Sequence, residues 1–200
     1  MQRAIHPIEV ESYRILRERV DTAYLPPLTR AVTERIVHTT ADPGWVGELI
    51  TTEQALAEGR AALLAGAPLL ADVRMVAAAV TTRECTVCLD LATPIEGLTR
   101  SAAGIRAAAA RFPDGAVWAI GNAPTALAEL LRLAEAGEVR PALVVGLPVG
   151  FVGSVAAKSA LRAGGLNALS NASERGGAAI AGAAINALLY ADLVSEEGNA

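Results

Sequence analysis

After residue 68 the chain alternates between short apolar runs and longer Ala-rich amphipathic stretches, and this rhythm restricts the fold more than any other feature. The runs at 69–71, 86–91, 116–120 and 142–146 are too short for helices and are bounded by Gly, Pro or polar residues, so they read as buried strands. Helices are predicted between and after them over 72–80, 101–112, 124–136, 154–163 and 177–190. A weaker segment at 166–169 supplies a fifth strand. Apolar strands alternating with helices imply a mainly parallel sheet covered on both faces. The first third is helical instead, with amphipathic spacing over 7–21, 28–39 and 51–64 and a turn signal at Asp42-Pro43-Gly44. The expected fold class is α/β: a three-layer α/β/α arrangement with a mainly parallel sheet of about five strands and N-terminal helices. One domain over 1–200 is expected, with a short disordered tail at about 195–200.

Composition narrows the function classes. Hydrophobic residues make up 52% of 200, enough for a sizeable core. Seventeen basic against 21 acidic side chains leave a net charge of −4, which argues against nucleic acid or a membrane surface as partner. Lys158 is the sole lysine, and the other basic residues are Arg, suited to bidentate pairing with carboxylates. Aromatics are only 4%, so few rings are available to stack on a base. No basic-then-apolar leader opens the sequence, and no apolar run reaches the ~18 residues of a spanning helix. A reduced, cytoplasmic setting is expected, because Cys85 and Cys88 cannot form a disulfide framework.

Ligands of open parallel sheets collect beyond the carboxyl ends of the strands. Two turns there are unusual. Ile120-Gly121-Asn122-Ala123-Pro124-Thr125 passes from strand to helix, and Gly146-Leu147-Pro148-Val149-Gly150-Phe151-Val152-Gly153-Ser154 does so with three glycines. Such turns let backbone N–H groups approach a carboxylate or phosphate. Tight connections that any α/β protein needs account for them equally well. The glycine spacing is not G-x-G-x-x-G, and no Gly-Lys-Ser/Thr accompanies Lys158, so a dinucleotide or P-loop site fits poorly. Cys85-x-x-Cys88 lacks a second pair and falls at a strand, where positions i and i+3 face opposite sides; metal or redox chemistry is not expected. His6 precedes Pro7 and reads as a helix-start residue. His38 ends a helix, where the dipole raises an imidazole pKa and burial lowers it. It is either a structural cap or a proton donor working near neutrality.

Six segments, in order, resemble the precorrin-8X methylmutase (precorrin isomerase) family of cobalamin biosynthesis. They are Glu11-Ser12-Tyr13; Val37-His38-Thr39-Thr40-Ala41-Asp42; Gly66-Ala67-Pro68-Leu69-Leu70-Ala71-Asp72 with Met75-Val76; Thr99-Arg100-Ser101-Ala102-Ala103; Ala119 through Leu127; and Gly146 through Gly153. The resemblance spans roughly residues 7 to 190. It implies an intramolecular 1,5-sigmatropic methyl shift from C-11 to C-12 of a tetrapyrrole, precorrin-8X or cobalt-precorrin-8, with no organic cofactor and no catalytic metal. It further implies a homodimer with the substrate near the subunit interface. His38 takes the role of proton donor and acceptor, and Ser12 and Arg100 that of substrate contacts; Thr39, Asn122 and Gly150, beside His38 and in the two unusual turns, are further expected substrate contacts. The residues suit this chemistry, since a methyl shift needs no nucleophile and no Ser/His/Asp or Cys/His set is present. A non-catalytic corrinoid carrier is the alternative from another class. Ala178 stands where the family usually has Ser after Gly-Gly, 166–175 departs from its strand pattern, and Ala77-Ala78-Ala79 covers a position where members often carry Gly.

Overall fold

The computed structural model describes residues 6–195. Its elements run α1 (Pro7–Arg19), α2 (Pro27–Thr40), β1 (Leu49–Thr51), α3 (Glu53–Leu64), β2 (Leu69–Ala71), α4 (Arg74–Ala79), β3 (Thr86–Val87), α5 (Arg100–Arg111), β4 (Val117–Ile120), α6 (Pro124–Glu135), β5 (Leu143–Gly146), α7 (Ser154–Ala163), β6 (Ala168–Asn171) and α8 (Ala178–Ser195). The expected tail lies, beyond Ser195, outside the described residues.

The strands form one six-stranded sheet in the order β1-β6-β5-β4-β2-β3, parallel except for the β1–β6 pair. Alternation along each strand sends side chains to two cores. Leu69, Ala71, Val117, Ala119, Leu143 and Val145 pack on one face with residues from α1, α2, α3, α4 and α8. Leu70, Trp118, Ile120 and Val144 pack on the other with α5, α6 and α7. This is the expected three-layer α/β/α arrangement.

Two details differ from the sequence reading. The sheet has six strands rather than about five, because Leu49–Thr51 adds an antiparallel edge whose pairing comes from Leu169, Ser170 and Asn171. The predicted strand over 86–91 pairs only at Thr86 and Val87, then tightens into a 3-10 turn over Cys88–Leu91. Gly104 of α5 is the reason: a Cβ there would lie 2.5 Å from the Cys88 carbonyl oxygen, so helix and turn pack backbone to backbone. The Ala79 departure has a counterpart of the same kind. Gly182 of α8 faces Ala79, and a Cβ on it would lie 2.5 Å from the Ala79 methyl.

Candidate active site

Helices α1 and α2 are locked together by Glu34. Its buried carboxylate accepts from Arg17 (2.8 Å), Arg30 (2.8 Å) and the Thr22 hydroxyl (2.6 Å). Glu53 caps the other end of α2 from a distance, accepting the Leu28 and Thr29 N–H groups at 2.7 and 2.9 Å. These anchors fix the crossing that brings Ser12 against His38.

The Ser12 hydroxyl lies 2.7 Å from His38 Nδ1. A hydroxyl can donate to the neutral ring or accept from the protonated one, so the contact survives both charge states. It also leaves Nε2 as the nitrogen available to a ligand. Tyr13 stacks on the imidazole, with centroids 5.0 Å apart and planes 5° from parallel. Burial pushes the Tyr13 phenol up to about 12, so the stacking ring is neutral. Arg35, one turn before His38, pairs with Glu9 at 2.8 Å with both side chains mostly buried, and its guanidinium lies 5.5 Å from the Tyr13 ring centre. Burial holds His38 below the ordinary histidine value, Arg35 adds to the depression, and Glu9 opposes it.

The other sequence-predicted residues are placed as follows. Thr39 is exposed beside His38, and its hydroxyl donates to the Arg35 carbonyl at 2.8 Å. Arg100 opens α5, exposed, and among the described residues it has no hydrogen-bond or ion-pair partner. Its helix is capped by Thr99, whose hydroxyl meets that of Thr125 at 2.8 Å, so the starts of α5 and α6 lie side by side. The Asn122 N–H donates to Asp72 and the Gly150 N–H to the Glu174 carbonyl. These two backbone donors are therefore engaged internally, and the Asn122 side chain is the polar group that the first turn retains. Gly150 has φ +146°, which glycine adopts freely. Beyond it, Phe151 and Val152 are 96% and 89% exposed. Ser154 then starts α7, whose N-cap is Gly153 with no side-chain cap.

His6 is a helix cap, its Nδ1 accepting the Ile8 N–H at 3.2 Å. Burial pushes the Cys85 and Cys88 thiols up to about 11 and about 12, keeping both protonated. Among the described residues no group of three or more His, Cys, Asp or Glu is arranged to hold a metal ion. Nor is any helix among them long and apolar enough to cross a membrane.

Sequence reasoning missed the residues that hold the site from behind. Arg175 ties the loop after β6 to the end of α2. It pairs with Asp42, reaches the Gly44 carbonyl at 3.3 Å and covers the Trp45 ring at 4.4 Å. Lys158, fully buried in α7, donates to the Ser173 and Arg175 carbonyls at 2.8 and 2.5 Å. Its status as the only lysine was the one available signal.

The fold is that of an α/β enzyme class with a mainly parallel sheet, and its Ser12–His38 pair stands near the end of α2, which Arg175 ties to the loop after β6. A family model described as precorrin-8X methylmutase matches residues 7–191, and the chain belongs to that family, isomerases of cobalamin biosynthesis. It is 36% identical to the precorrin-8X methylmutase of Pseudomonas aeruginosa over 190 residues, covering 89% of this chain and 91% of the relative. It is 35% identical to the cobalt-precorrin-8 methylmutase of Methanocaldococcus jannaschii, covering 79% and 77%. A solved structure of precorrin-8X methyl mutase from Thermus thermophilus superposes with a TM-score of 0.84 at 34% identity, covering 92% of this chain and 96% of that one.

Proposed function

We propose that the chain isomerises precorrin-8X by the suprafacial 1,5-shift of a methyl group from C-11 to C-12, giving hydrogenobyrinic acid. The observation that carries this reading is the Ser12–His38 pair. His38 Nε2 lends a proton to the macrocycle near ring C, which makes the accepting carbon electron-poor. The C-11–methyl bond breaks as the C-12–methyl bond forms, and the proton returns to His38. No proton is gained or lost overall. General acid assistance of this kind is worth about 10²–10⁴-fold, and rigid positioning supplies much of the rest.

The substrate's peripheral carboxylates need donors. Arg100, the Asn122 side-chain amide and the first turn of α7 supply them at the carboxyl edge; on the helical side Ser12 and Thr39 line the ring, the Thr39 hydroxyl keeping its hydrogen on the Arg35 carbonyl. Gly150 keeps the neighbouring loop slim enough for a flat ring to approach. A cobalt-containing substrate is the second reading, favoured by relatives of near-equal identity that carry either name. We further infer a cytoplasmic homodimer, on the family resemblance.

The test is the ultraviolet-visible spectrum of the purified protein incubated with metal-free precorrin-8X. Conversion to the hydrogenobyrinic acid spectrum supports the metal-free reaction. No change there, with conversion of cobalt-precorrin-8, supports the second reading. Tight binding of product without conversion of either substrate would overturn the isomerase mechanism.

A further inference from the structure

Asp72 follows β2 and is 1% exposed. Its carboxylate is surrounded by backbone donors alone. Oδ1 accepts the N–H groups of Val73 (3.0 Å) and Gly121 (3.3 Å), and Oδ2 those of Asn122 (2.9 Å) and Ala123 (2.9 Å). Its own N–H donates to the Ala119 carbonyl at 3.1 Å and its carbonyl accepts from Leu89 at 3.2 Å. One residue therefore ties together the exits of β2, β3 and β4.

The position could hold an apolar side chain at lower desolvation cost, since a buried carboxylate is retained only when donors compensate it. Here every donor belongs to a turn at the carboxyl edge. Ala123, the N-cap of α6, makes no side-chain cap, so Asp72 caps that helix from another strand. The turn is pressed from its other side by α8: a Cβ on Gly121 would lie 2.8 Å from the Gly177 carbonyl oxygen and 3.0 Å from Ala178 Cα. The N–H cradle at the exit of β4 is thus filled from within, and a substrate carboxylate has no claim on it.

We propose that Asp72 is a positioning residue for the isomerase reaction: as an internal anion seated in the β4–α6 cradle, it holds the Asn122 side chain at the edge of the substrate. The inference rests on the reading that Asn122 contacts substrate.

The experiment is a double-mutant cycle of Asp72→Ala and Asn122→Ala in the full chain, with sodium formate as a stand-in for the missing carboxylate. Asp72→Ala is expected to raise KM by about tenfold, the worth of one misplaced hydrogen bond, while kcat stays within about threefold because Ser12 and His38 lie on other elements. Asn122→Ala raises KM in the same way, and the double variant adds nothing further. Formate restores KM in Asp72→Ala and leaves Asn122→Ala unchanged. A wild-type KM in Asp72→Ala, additivity in the double variant, or a loss confined to kcat overturns the proposal. If Asp72→Ala fails to fold, Asp72→Asn enters the same cycle, since its amide NH2 faces backbone donors and disturbs the cradle without changing its volume. Normal turnover and KM in Asn122→Ala would sink the substrate contact while Asp72→Ala still reports on the cradle. If the wild type neither binds nor converts the tetrapyrrole, the functional reading alone fails. Amide exchange at 121–123 in the Asp72 variant then decides: protection lost and regained with formate supports the cradle, and unchanged protection overturns it.

Discussion

Ser12 and His38 are 26 residues apart in sequence, yet the serine hydroxyl sits 2.7 Å from the imidazole Nδ1 across the α1–α2 crossing. The bond aims the ring and survives protonation of it, as the proposed loan and recovery of a proton requires. His38→Ala is expected to abolish turnover while leaving the far-ultraviolet circular dichroism spectrum and much of the product affinity intact. Ser12→Ala removes the contact that orients the ring, so kcat should fall by about ten- to a hundredfold. Single-turnover spectra of both variants check this; full activity in His38→Ala removes it from the mechanism.

The pH profile carries a second prediction. Burial, helped by Arg35, depresses the His38 pKa below 6.5, and Glu9 works the other way. In the proposed mechanism the protonated ring is the proton donor, and its population falls as pH rises. The acidic side of kcat/KM is therefore the fast side, with the decline centred below 6.5 in the free enzyme. Glu9→Gln removes the charge that favours imidazolium and moves that centre lower. Arg35→Gln removes the opposing charge and moves it higher. Tyr13, the other ionisable group against the ring, is a neutral phenol over this range. Three superimposable profiles would show that this pair does not tune His38.

Why some of this was legible in the sequence and some was not follows from where each signal lives. Val117–Ile120 and Leu143–Gly146 are buried along their whole length, so uninterrupted apolar runs announced them. Leu49–Thr51 is three residues long and exists as a strand only because β6, over a hundred residues later, pairs with it. His38 stood out by residue type and Ser12 by family resemblance, but their contact depends on the Arg17–Glu34 ion pair across the helix crossing, between residues 17 apart, which no local pattern encodes. The Gly121-Asn122 turn was visible as a ligand-like feature. What was hidden is that Asp72, 50 residues before Asn122, already occupies its donors.

Lys158 supports a stability prediction. Fully buried, it satisfies the Ser173 and Arg175 carbonyls, and the same Arg175 reaches over to Asp42 at the end of the His38 helix. Burial pushes the lysine pKa down to about 8. Lys158→Met keeps much of the stem packing but leaves the Ser173 carbonyl without a donor and the Arg175 carbonyl with the Asn171 amide alone, at 3.0 Å. The expected loss is about 2–4 kcal/mol, or a Tm lower by roughly 5–15 °C. Thermal unfolding by circular dichroism measures it. An unchanged Tm would mean that water replaces the ammonium without cost.

Phe151 and Val152 give the last prediction, because side chains this apolar are costly to leave 96% and 89% exposed. Neither contributes to the two cores of the chain, so Phe151→Ser should leave the fold of the protomer undisturbed. Both follow Gly150 at the carboxyl edge of the sheet, the side on which the proposed substrate sits. A homodimer with substrate near its interface would cover them there. The variant should therefore shift the mass measured by light scattering from two chains towards one, at protein concentrations where the wild type is fully paired. Circular dichroism on the same samples separates loss of assembly from loss of fold. A variant that remains dimeric would place the interface on another face and leave the Phe151 tip outside it.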